Sequence, residues 1–268
     1  MMTFQPWLDH WDLTADGAPF ETLTSTLMPV RRNGDAGMLK LTTSEEELAG
    51  GALMVWWAGV GAAAVWAREG EALLMARATG SGSLASMARD GRDDEACRVL
   101  CTAAARLHAK RPNPPPNTLV PLTRWFEALW PTAQTHGGLF AQSAKAARDL
   151  LDNPQDPTVL HGDLHHDNVL DFADRGWLAI DPKGLIGDRG YDHANMLCNP
   201  DAAVALTPGV LTRRLEVASA ASGIAQHRLA KWLLAYAGLS ASWTIIDPRF
   251  GDVADTLKIA ALAAAALD

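Results

Sequence analysis

The chain has 268 residues, of which 48% are hydrophobic and 20% are charged, as in an ordinary folded globular protein. This length suits one large domain or two modest lobes. The formal net charge of −8 argues against nucleic acid as the main partner, because no basic stripe is present to neutralise phosphates, and it is compatible with a cationic substrate.

The N-terminus and the apolar runs of the chain indicate neither export nor a membrane span. Residues 1–13 have no basic region and no apolar core of a signal peptide. The longest apolar runs, near 52–66 and 259–267, are too short or too rich in Ala and Gly to cross a bilayer. Cys97 and Cys101 are expected to be small buried side chains on a helix. We therefore predict a cytoplasmic protein with no membrane partner.

The N-terminal third is predicted to be a small antiparallel sheet with one helix. The predicted elements, in chain order, are an irregular arm (1–19), one or two strands (20–32) with a bend at 24–26, a turn (33–37), a strand (38–41), a helix (43–57) and a hairpin (62–67 with 72–76).

The composition changes at residues 78–83, a Gly/Ser segment that predicts a flexible hinge. Helical patterns follow, at 93–110, 123–130 and 139–151 (the last two separated by Pro131 and Gly137-Gly138), at 208–222 with a Thr207-Pro208 cap, and at 226–243 and 253–267. We predict an α+β fold of two lobes. Residues 1–77 form the β-rich lobe and residues 78–268 the helical one, with the active site in the cleft.

The stretch Leu160–Asp181, LHGDLHHDNVLDFADRGWLAID, concentrates the polar side chains. Its second half predicts a hairpin that carries Asp181 back beside Asp163 and Asn168. A loop aspartate, an asparagine five residues later and a hairpin aspartate form the pattern of a phosphoryl-transfer site. In such a site the first residue orients a hydroxyl and the other two bind Mg²⁺. The alternative is that these residues only form turns and strand caps.

The histidines of this loop admit a second chemistry, that of a zinc hydrolase. The ligands would come from His161, Asp163, His165, His166 and Asp167, although no other His-rich segment completes such a set. His161 directly follows a strand and is expected to organise the loop through hydrogen bonds. The sequence does not decide whether His165 and His166 orient the loop or face the substrate.

Lys40 lies between apolar neighbours on a predicted strand, where an unpaired ammonium group is costly to bury. It is predicted to bind nucleotide phosphates and to pair with Glu47 on the following helix. Because Ser44-x-x-Glu47 is also a capping box, a purely structural role for Glu47 stays open. Asp192 is predicted to cap a helix, with a role in holding the polar loop as the alternative.

The segments LHGDLHHDNVL and RGWLAIDPKGLIGDRGYDHANML resemble the aminoglycoside phosphotransferase family of small-molecule kinases. The similarity is greatest to the streptomycin 6-phosphotransferase and hydroxyurea-kinase branch, and it is carried by about residues 158–200. It implies a two-lobed protein-kinase-like fold and the cofactors ATP and Mg²⁺. It also implies that Asp163 is the catalytic base, that Asn168 and Asp181 bind the metal and that Lys40 contacts the ATP phosphates.

The same resemblance implies that backbone groups of Met75–Ala78, including Arg77, face the adenine. No G-x-G-x-x-G loop is present, so Thr24-Ser25-Thr26, with Ser25 and Thr26 as the named contacts, is expected to cover the phosphates. The expected activity is phosphorylation of a hydroxyl on an aminoglycoside, an amino sugar or a related metabolite by a monomer or homodimer. A nucleotide-binding pseudokinase that acts as an interaction module is the rival hypothesis.

Overall fold

The computed structural model of the chain describes residues 3–267, and the first part is an antiparallel sheet. Its strands are β1 (Thr14–Ala15), β2 (Phe20–Glu21), β3 (Thr26–Arg32), β4 (Asp35–Leu41), β5 (Val65–Glu69) and β6 (Ala72–Ala76). They lie in the order β1, β3, β4, β6, β5, and β2 pairs with β3. Lys40 on β4 therefore lies mid-sheet, opposite Leu27 on one side and Leu73 on the other.

The β3–β4 turn is shorter than the sequence predicts. Asn33 and Gly34 both have positive φ, of 52° and 90°, as a two-residue type I′ hairpin turn requires. Because this turn needs only two residues, β4 begins at Asp35, where the sequence prediction placed its start at Met38. The two predicted strands themselves are confirmed.

The N-terminal arm is not irregular, so that prediction is wrong. Residues Gln5–His10 form helix α1, with Pro6 in its first turn, where the missing N–H costs nothing. Phe4 and Leu13, 8% and 9% exposed, flank this helix and pack with Leu39 and Leu74 in the apolar cluster on the sheet. These two anchors hold the arm against the sheet, and their partners lie far away in the chain.

The helices of the remaining chain form the larger part of the core. They are α2 (Glu45–Trp57), α3 (Leu84–Arg89), α4 (Asp93–His108), α5 (Leu122–Trp125), α6 (Leu129–His136), α7 (Gly138–Asp152), α8 (Gly190–Cys198), α9 (Ala202–Ala205), α10 (Val210–Ser222), α11 (Gln226–Ile246) and α12 (Val253–Ala265). The predicted helices at α2, α4, α7, α10, α11 and α12 are confirmed, whereas α3, α8 and α9 were not predicted.

Two predicted helix boundaries are wrong. Pro131 lies inside the first turn of α6 and does not separate helices, because a proline there lacks only an N–H that has no helical partner. Helix α10 begins at Val210 with Gly209 as its N-cap, so Thr207-Pro208 is not the cap. Cys97 and Cys101 are 4% and 3% exposed on α4, as expected.

Helix α11 is long and apolar enough to cross a membrane, but it serves as a core helix. Of its most apolar stretch, 72% is buried inside the protein. It packs against α7, α8 and α12, and through α8 it reaches the polar loop described below.

The strands of the second part carry the polar loop. They are β7 (Val120–Pro121), β8 (Pro157–Leu160), β9 (Val169–Asp171), β10 (Trp177–Ala179) and β11 (Leu185–Asp188). β9 and β10 form the predicted hairpin, with Ala179 opposite Val169. β11 pairs antiparallel with β8, so both ends of the polar loop are tied to strands.

The Gly/Ser segment after β6 is attached to this hairpin. Gly80 N donates to Asp171 O at 2.9 Å, and Gly82 N donates to Asp171 Oδ2 at 3.0 Å. A Cβ at Gly80 would collide with the Asp171 carboxylate, so only glycine allows the backbone to come this close to the hairpin. The sequence alone predicted that the glycines of this segment provide flexibility. The predicted boundary at 77/78 falls between β6 and α3, and the division into two domains stays a prediction.

Candidate active site

His161 organises the start of the polar loop between β8 and β9. Its side chain is fully buried and its ring stacks on Trp57, with centroids 6.1 Å apart. Nε2 donates to the carbonyl of Ile180 at 2.8 Å, and Nδ1 accepts from Asp163 N at 3.2 Å. Burial lowers the pKa of His161, which keeps the ring neutral. Its predicted role as a hydrogen bonder in the loop is confirmed.

Asp192 holds the same loop from helix α8. It is fully buried, and its carboxylate accepts from His161 N at 2.9 Å and Gly162 N at 2.8 Å. Its Oδ2 also lies 2.8 Å from His108 Nε2. Burial raises the pKa of Asp192, but the hydrogen bond from His108 and the charge of His108 lower it by more. The net effect is a pKa below the usual value of an aspartate. The predicted helix cap is wrong, because Asp192 is the third residue of α8, and the alternative role is confirmed.

His193, which follows Asp192 on α8, should make the free energy of unfolding depend on pH. Burial, together with the charge of His108, lowers the pKa of His193 to about 4, and its Nδ1 donates to Arg189 O at 3.2 Å. The unfolded chain binds a proton near pH 6.5 and the folded chain does not, so stability is lost as the pH falls from 6.5 towards 4.

Replacing His193 by asparagine, which can keep the hydrogen bond to Arg189, removes this effect. We expect the wild type to lose about 2 kcal/mol more unfolding free energy than His193→Asn between pH 7 and pH 5. Urea unfolding at the two pH values measures the difference. Equal losses in the two proteins would contradict the assignment.

Asp163 presents an ionised carboxylate held on both sides. Oδ1 accepts from Asn195 Nδ2 at 2.7 Å and Oδ2 accepts from Asn168 Nδ2 at 3.2 Å. Burial raises its pKa, but His165, Lys183 and His161 lower it to about 2. The side chain is 29% exposed, so a negatively charged oxygen can be reached from the adjoining cavity at neutral pH.

Lys40 joins the sheet to the polar hairpin. Its Nζ donates to the carboxylates of Glu47 and Asp181, and its side chain is only 9% exposed. Glu47 also accepts from Thr24 Oγ1 at 2.9 Å, while the side chain of Ser44 makes no capping bond to α2. Burial raises the pKa of Glu47, but Lys40 and Lys183 lower it to about 2. The predicted pair with Lys40 is confirmed and the capping-box interpretation is wrong.

Asp181 and Asn168 meet at the open end of the hairpin. Ile180 N donates to Asn168 O at 2.9 Å, and Asp181 has a positive φ of 61°, which is uncommon outside glycine. Asn168 Nδ2 donates to the carbonyl and to the carboxylate of Asp163, which leaves Oδ1 as the atom of this amide that could bind a cation. A carboxylate and an amide oxygen are the hard ligands that Mg²⁺ prefers, so these residues fit that ion.

The zinc alternative lacks a ligand set. Within residues 3–267, no group of three or more His, Cys, Asp and Glu side chains is arranged to hold a metal. His165 lines the cavity, 3.8 Å from Asp163 Oδ2, and the pKa of His165 is raised because Asp163 outweighs its burial. His166 is 3% exposed, and burial lowers its pKa to about 3. The two histidines that the sequence left open thus differ in environment.

A cavity of about 920 Å³ contains Asp163 and Asp181. Its lining includes charged and loop residues close in sequence to the polar loop, to α2 and to the segment before β3, namely Thr22, Leu23, Thr24, Glu46, Glu47, His165 and Lys183. It also includes aromatic and acidic residues, namely Trp125, Tyr236, Trp243, Asp201, Asp252 and Asp255. Asp201 pairs with Arg89 and Asp255 with Lys258. A lining of carboxylates and aromatic rings is compatible with a cation, because carboxylates attract positive charge and aromatic faces stack with it.

Of the predicted nucleotide contacts, Thr24 and Glu47 line this cavity. The others, namely Lys40, Ser25, Thr26, Met75, Arg77 and Ala78, lie outside its lining. Ser25 is 7% exposed, and its Oγ has no hydrogen-bond partner among residues 3–267, while Thr26 begins β3. Met75 lies on β6 and lines a small pocket of about 10 Å³ beside Lys40. Arg77 N donates to Ala36 O at 3.0 Å and its guanidinium pairs with Asp16, so that N–H is not free for adenine. Ala78 is half-buried.

Sequence reasoning missed Lys183, Asn195 and Tyr236. Lys183 Nζ lies 3.1 Å from Glu46 and 3.3 Å from Glu47, and its backbone N donates to His161 O at 2.7 Å. Burial lowers its pKa, but the carboxylates around it raise it, so the side chain is charged. A lysine two residues after the hairpin aspartate was the available signal. Asn195 lies in the segment that carries the family resemblance, but the sequence assigned it no role, and Tyr236 lies in a helical stretch with no motif of its own.

An antiparallel sheet with a buried Lys–Glu pair, followed by a helical part that carries the polar loop and a hairpin aspartate, defines a kinase-like fold. A crystal structure of aminoglycoside phosphotransferase APH(4)-Ia with ADP and hygromycin B matches with a TM-score of 0.69 at 12% identity, covering 98% of this chain and 97% of that one. A choline/ethanolamine kinase family protein from Mesorhizobium loti matches with a TM-score of 0.68 at 16% identity, covering 98% and 91%.

Residues 10–247 match the aminoglycoside/hydroxyurea antibiotic resistance kinase family, and the chain belongs to that family. It is 49% identical to a streptomycin 3''-kinase from Klebsiella pneumoniae over 245 residues, 90% of this chain and 91% of that protein. It is 31% identical to a streptomycin 6-kinase from Streptomyces griseus over 266 residues, 90% and 81% of the two chains. The protein is therefore a small-molecule phosphotransferase, as its sequence motifs predicted.

Proposed function

We propose that this protein is an ATP- and Mg²⁺-dependent kinase that phosphorylates the 3''-hydroxyl of streptomycin. The observation that carries the proposal is the ionised Asp163 carboxylate, which lines one cavity together with Asp181 and with aromatic and acidic residues compatible with a cation. The 49% identity to a streptomycin 3''-kinase supports the choice of acceptor and of position. Streptomycin carries guanidinium groups, which match carboxylates and tryptophan faces in charge and shape.

In the transfer step, Asp163 accepts the proton of the acceptor hydroxyl while its oxygen attacks the γ-phosphorus of ATP. The new bond joins that oxygen to phosphorus, the bond from phosphorus to the β,γ-bridging oxygen breaks, and ADP leaves. The carboxylate of Asp163 is ionised before the substrate arrives, because its pKa is about 2. No phosphoenzyme is needed.

Asn168 and Asp181 would hold Mg²⁺, which neutralises phosphate charge when it is bound. Lys40 binds the phosphates, since it is buried, charged and kept in place by Glu47 and Asp181. The hydroxyl of Ser25, which has no hydrogen-bond partner within residues 3–267, supports a role near the phosphates for that loop. The groups that could bind adenine are the backbone carbonyl groups of the segment Met75–Ala78 and the N–H of Ala78, because the N–H of Arg77 is already bonded to Ala36 O.

An acceptor panel tests the proposed function. The purified protein is incubated with Mg·ATP and with streptomycin, hygromycin B or hydroxyurea, and ADP release is followed together with the mass of the acceptor. We expect ADP and phosphorylated acceptor in equal amounts with streptomycin. ADP release without a phosphorylated acceptor, or preference for another acceptor, would contradict the substrate assignment.

Lys183 should contribute a second positive charge, on the γ-phosphoryl group. Lys183 lines the same cavity as Asp163, and its backbone N–H donates to His161 O, which ties Lys183 to the polar loop. We expect Lys183→Met to weaken ATP binding about tenfold and ADP binding less than twofold, because ADP has no γ-phosphoryl group. Calorimetric titration measures both, with Lys145→Met, an exposed lysine on α7, as the control. Equal weakening of ATP and ADP would refute this role.

A further inference from the structure

Helices α8 and α11 contribute side chains to the surroundings of the proposed base, Asp163. Asn195 on α8 is 2% exposed, and its Nδ2 donates to Asp163 Oδ1 at 2.7 Å. The hydroxyl of Tyr236 on α11 donates to Asn195 Oδ1 at 2.8 Å, and Asn199 Nδ2 donates to the same oxygen at 2.7 Å. We propose that Asn195, oriented by Tyr236, is a positioning residue for Asp163, an inference that rests on the proposed function.

The two donors on Asn195 Oδ1 fix the orientation of its amide. An asparagine amide carries an acceptor and a donor that are nearly alike in shape, so its partners decide which of them faces Asp163. With Tyr236 and Asn199 both donating to Oδ1, the Nδ2 group is directed at the carboxylate. Burial raises the pKa of Tyr236, which keeps its hydroxyl protonated and therefore a donor.

The amides of Asn195 and Asn168 hold opposite oxygens of the Asp163 carboxylate. One bond is 2.7 Å long and the other 3.2 Å, and together they fix the plane of the group. A carboxylate has about four lone-pair sites, so a substrate hydroxyl can still bind to the exposed side. Fixing the plane places a lone pair towards the cavity before the acceptor binds. Such alignment affects the rate of transfer more than the binding of substrate.

Asn195 also lines the cavity, so positioning of Asp163 must be distinguished from a direct contact of Asn195 with the substrate. Steady-state kinetics make this distinction. We expect Asn195→Ala to lower kcat about 10²-fold and to leave KM for streptomycin and ATP within about twofold. Tyr236→Phe should lower kcat about tenfold, and the double variant should be no worse than Asn195→Ala alone. Ser242→Ala is the matched control, since it removes another buried hydroxyl of α11 whose bond stays within the helix.

The decisive experiment introduces Asn195→Ala into the Asp163→Asn variant. If Asn195 acts only through the base, Asn195→Ala causes no further loss of kcat there. A further loss in that background, a rise in KM at unchanged kcat, or additive effects of Asn195→Ala and Tyr236→Phe would overturn the inference. Thermal unfolding of every variant excludes a general loss of fold.

A spectroscopic measurement makes the inference independent of turnover. The side-chain amide signals of Asn195 in a ¹⁵N-correlated spectrum should shift in Asp163→Ala and in Tyr236→Phe and stay in place in Ser242→Ala. Shifts without any transferase activity of the wild type would refute the proposed function and leave the arrangement intact. An active wild type with unshifted signals, or with full activity of Asn195→Ala, would overturn the positioning role alone.

Discussion

Asp163→Asn is expected to lower kcat for phosphoryl transfer at least about 10³-fold, because an amide cannot accept the proton of the acceptor hydroxyl. Transfer is measured as phosphorylated streptomycin by mass spectrometry at saturating Mg·ATP. ATP affinity should change by less than about threefold, since the proposed phosphate contacts come from Lys40 and Lys183 and not from Asp163.

The control for this variant is Asp167→Asn, which changes an exposed carboxylate in the same loop and should keep full activity. Substantial transfer by Asp163→Asn would contradict the assignment of the base. Loss of both transfer and ATP binding would indicate a damaged fold, and Asp163→Ala then serves as the second variant.

Lys40→Met should have the second largest effect, this time on nucleotide binding and on stability together. Removing the buried ammonium leaves Glu47 and Asp181 without their shared cation, and Lys183 compensates at Glu47 only in part. We expect ATP affinity to fall about 10²-fold. The free energy of unfolding should fall by about 3 kcal/mol, because breaking a buried ion pair leaves an uncompensated charge.

Lys231→Met is the matched control for Lys40→Met. Lys231 pairs with Asp149 near the surface, between α11 and α7, so its loss should cost less than about 1 kcal/mol and leave ATP binding unchanged. Titration calorimetry and urea unfolding give the two quantities. Unchanged ATP affinity in Lys40→Met would refute the role of this lysine in phosphate binding.

The parts of the fold that follow local rules could be predicted from the sequence. The Asn33-Gly34 turn, the hairpin β9–β10 and the amphipathic helix α4 each depend on residues that are close in the chain. The spacing of Asp163 and Asn168 on one loop is also local.

The contacts that complete the site could not be predicted in this way. Asp192 and Asn195 bond to His161 and Asp163 from about thirty residues away, and Tyr236 comes from another helix. Their meeting depends on how α8 and α11 pack, which no local pattern determines. The same limit explains the error in the N-terminal arm, where apolar anchors find their partners only in the folded sheet.

The backbone contacts of Met75–Ala78 show a further limit of prediction from the sequence. A sequence indicates which residues follow a strand, but not which N–H groups the neighbouring strands already occupy. Arg77 N is bonded to Ala36 O across the sheet, so of the backbone groups that the family resemblance implies for this segment, this N–H is already occupied.

The position of the phosphate on the product shows whether the protein phosphorylates the 3''-hydroxyl of streptomycin with Asp163 as the base. Streptomycin treated with the wild type and Mg·ATP is analysed by ¹H–³¹P correlation NMR, with Asp163→Asn in parallel. We predict a single phosphoryl group on the 3''-hydroxyl from the wild type and unmodified streptomycin from the variant. A phosphate at another position, or an equal yield of product from Asp163→Asn, would contradict the proposed function and its mechanism.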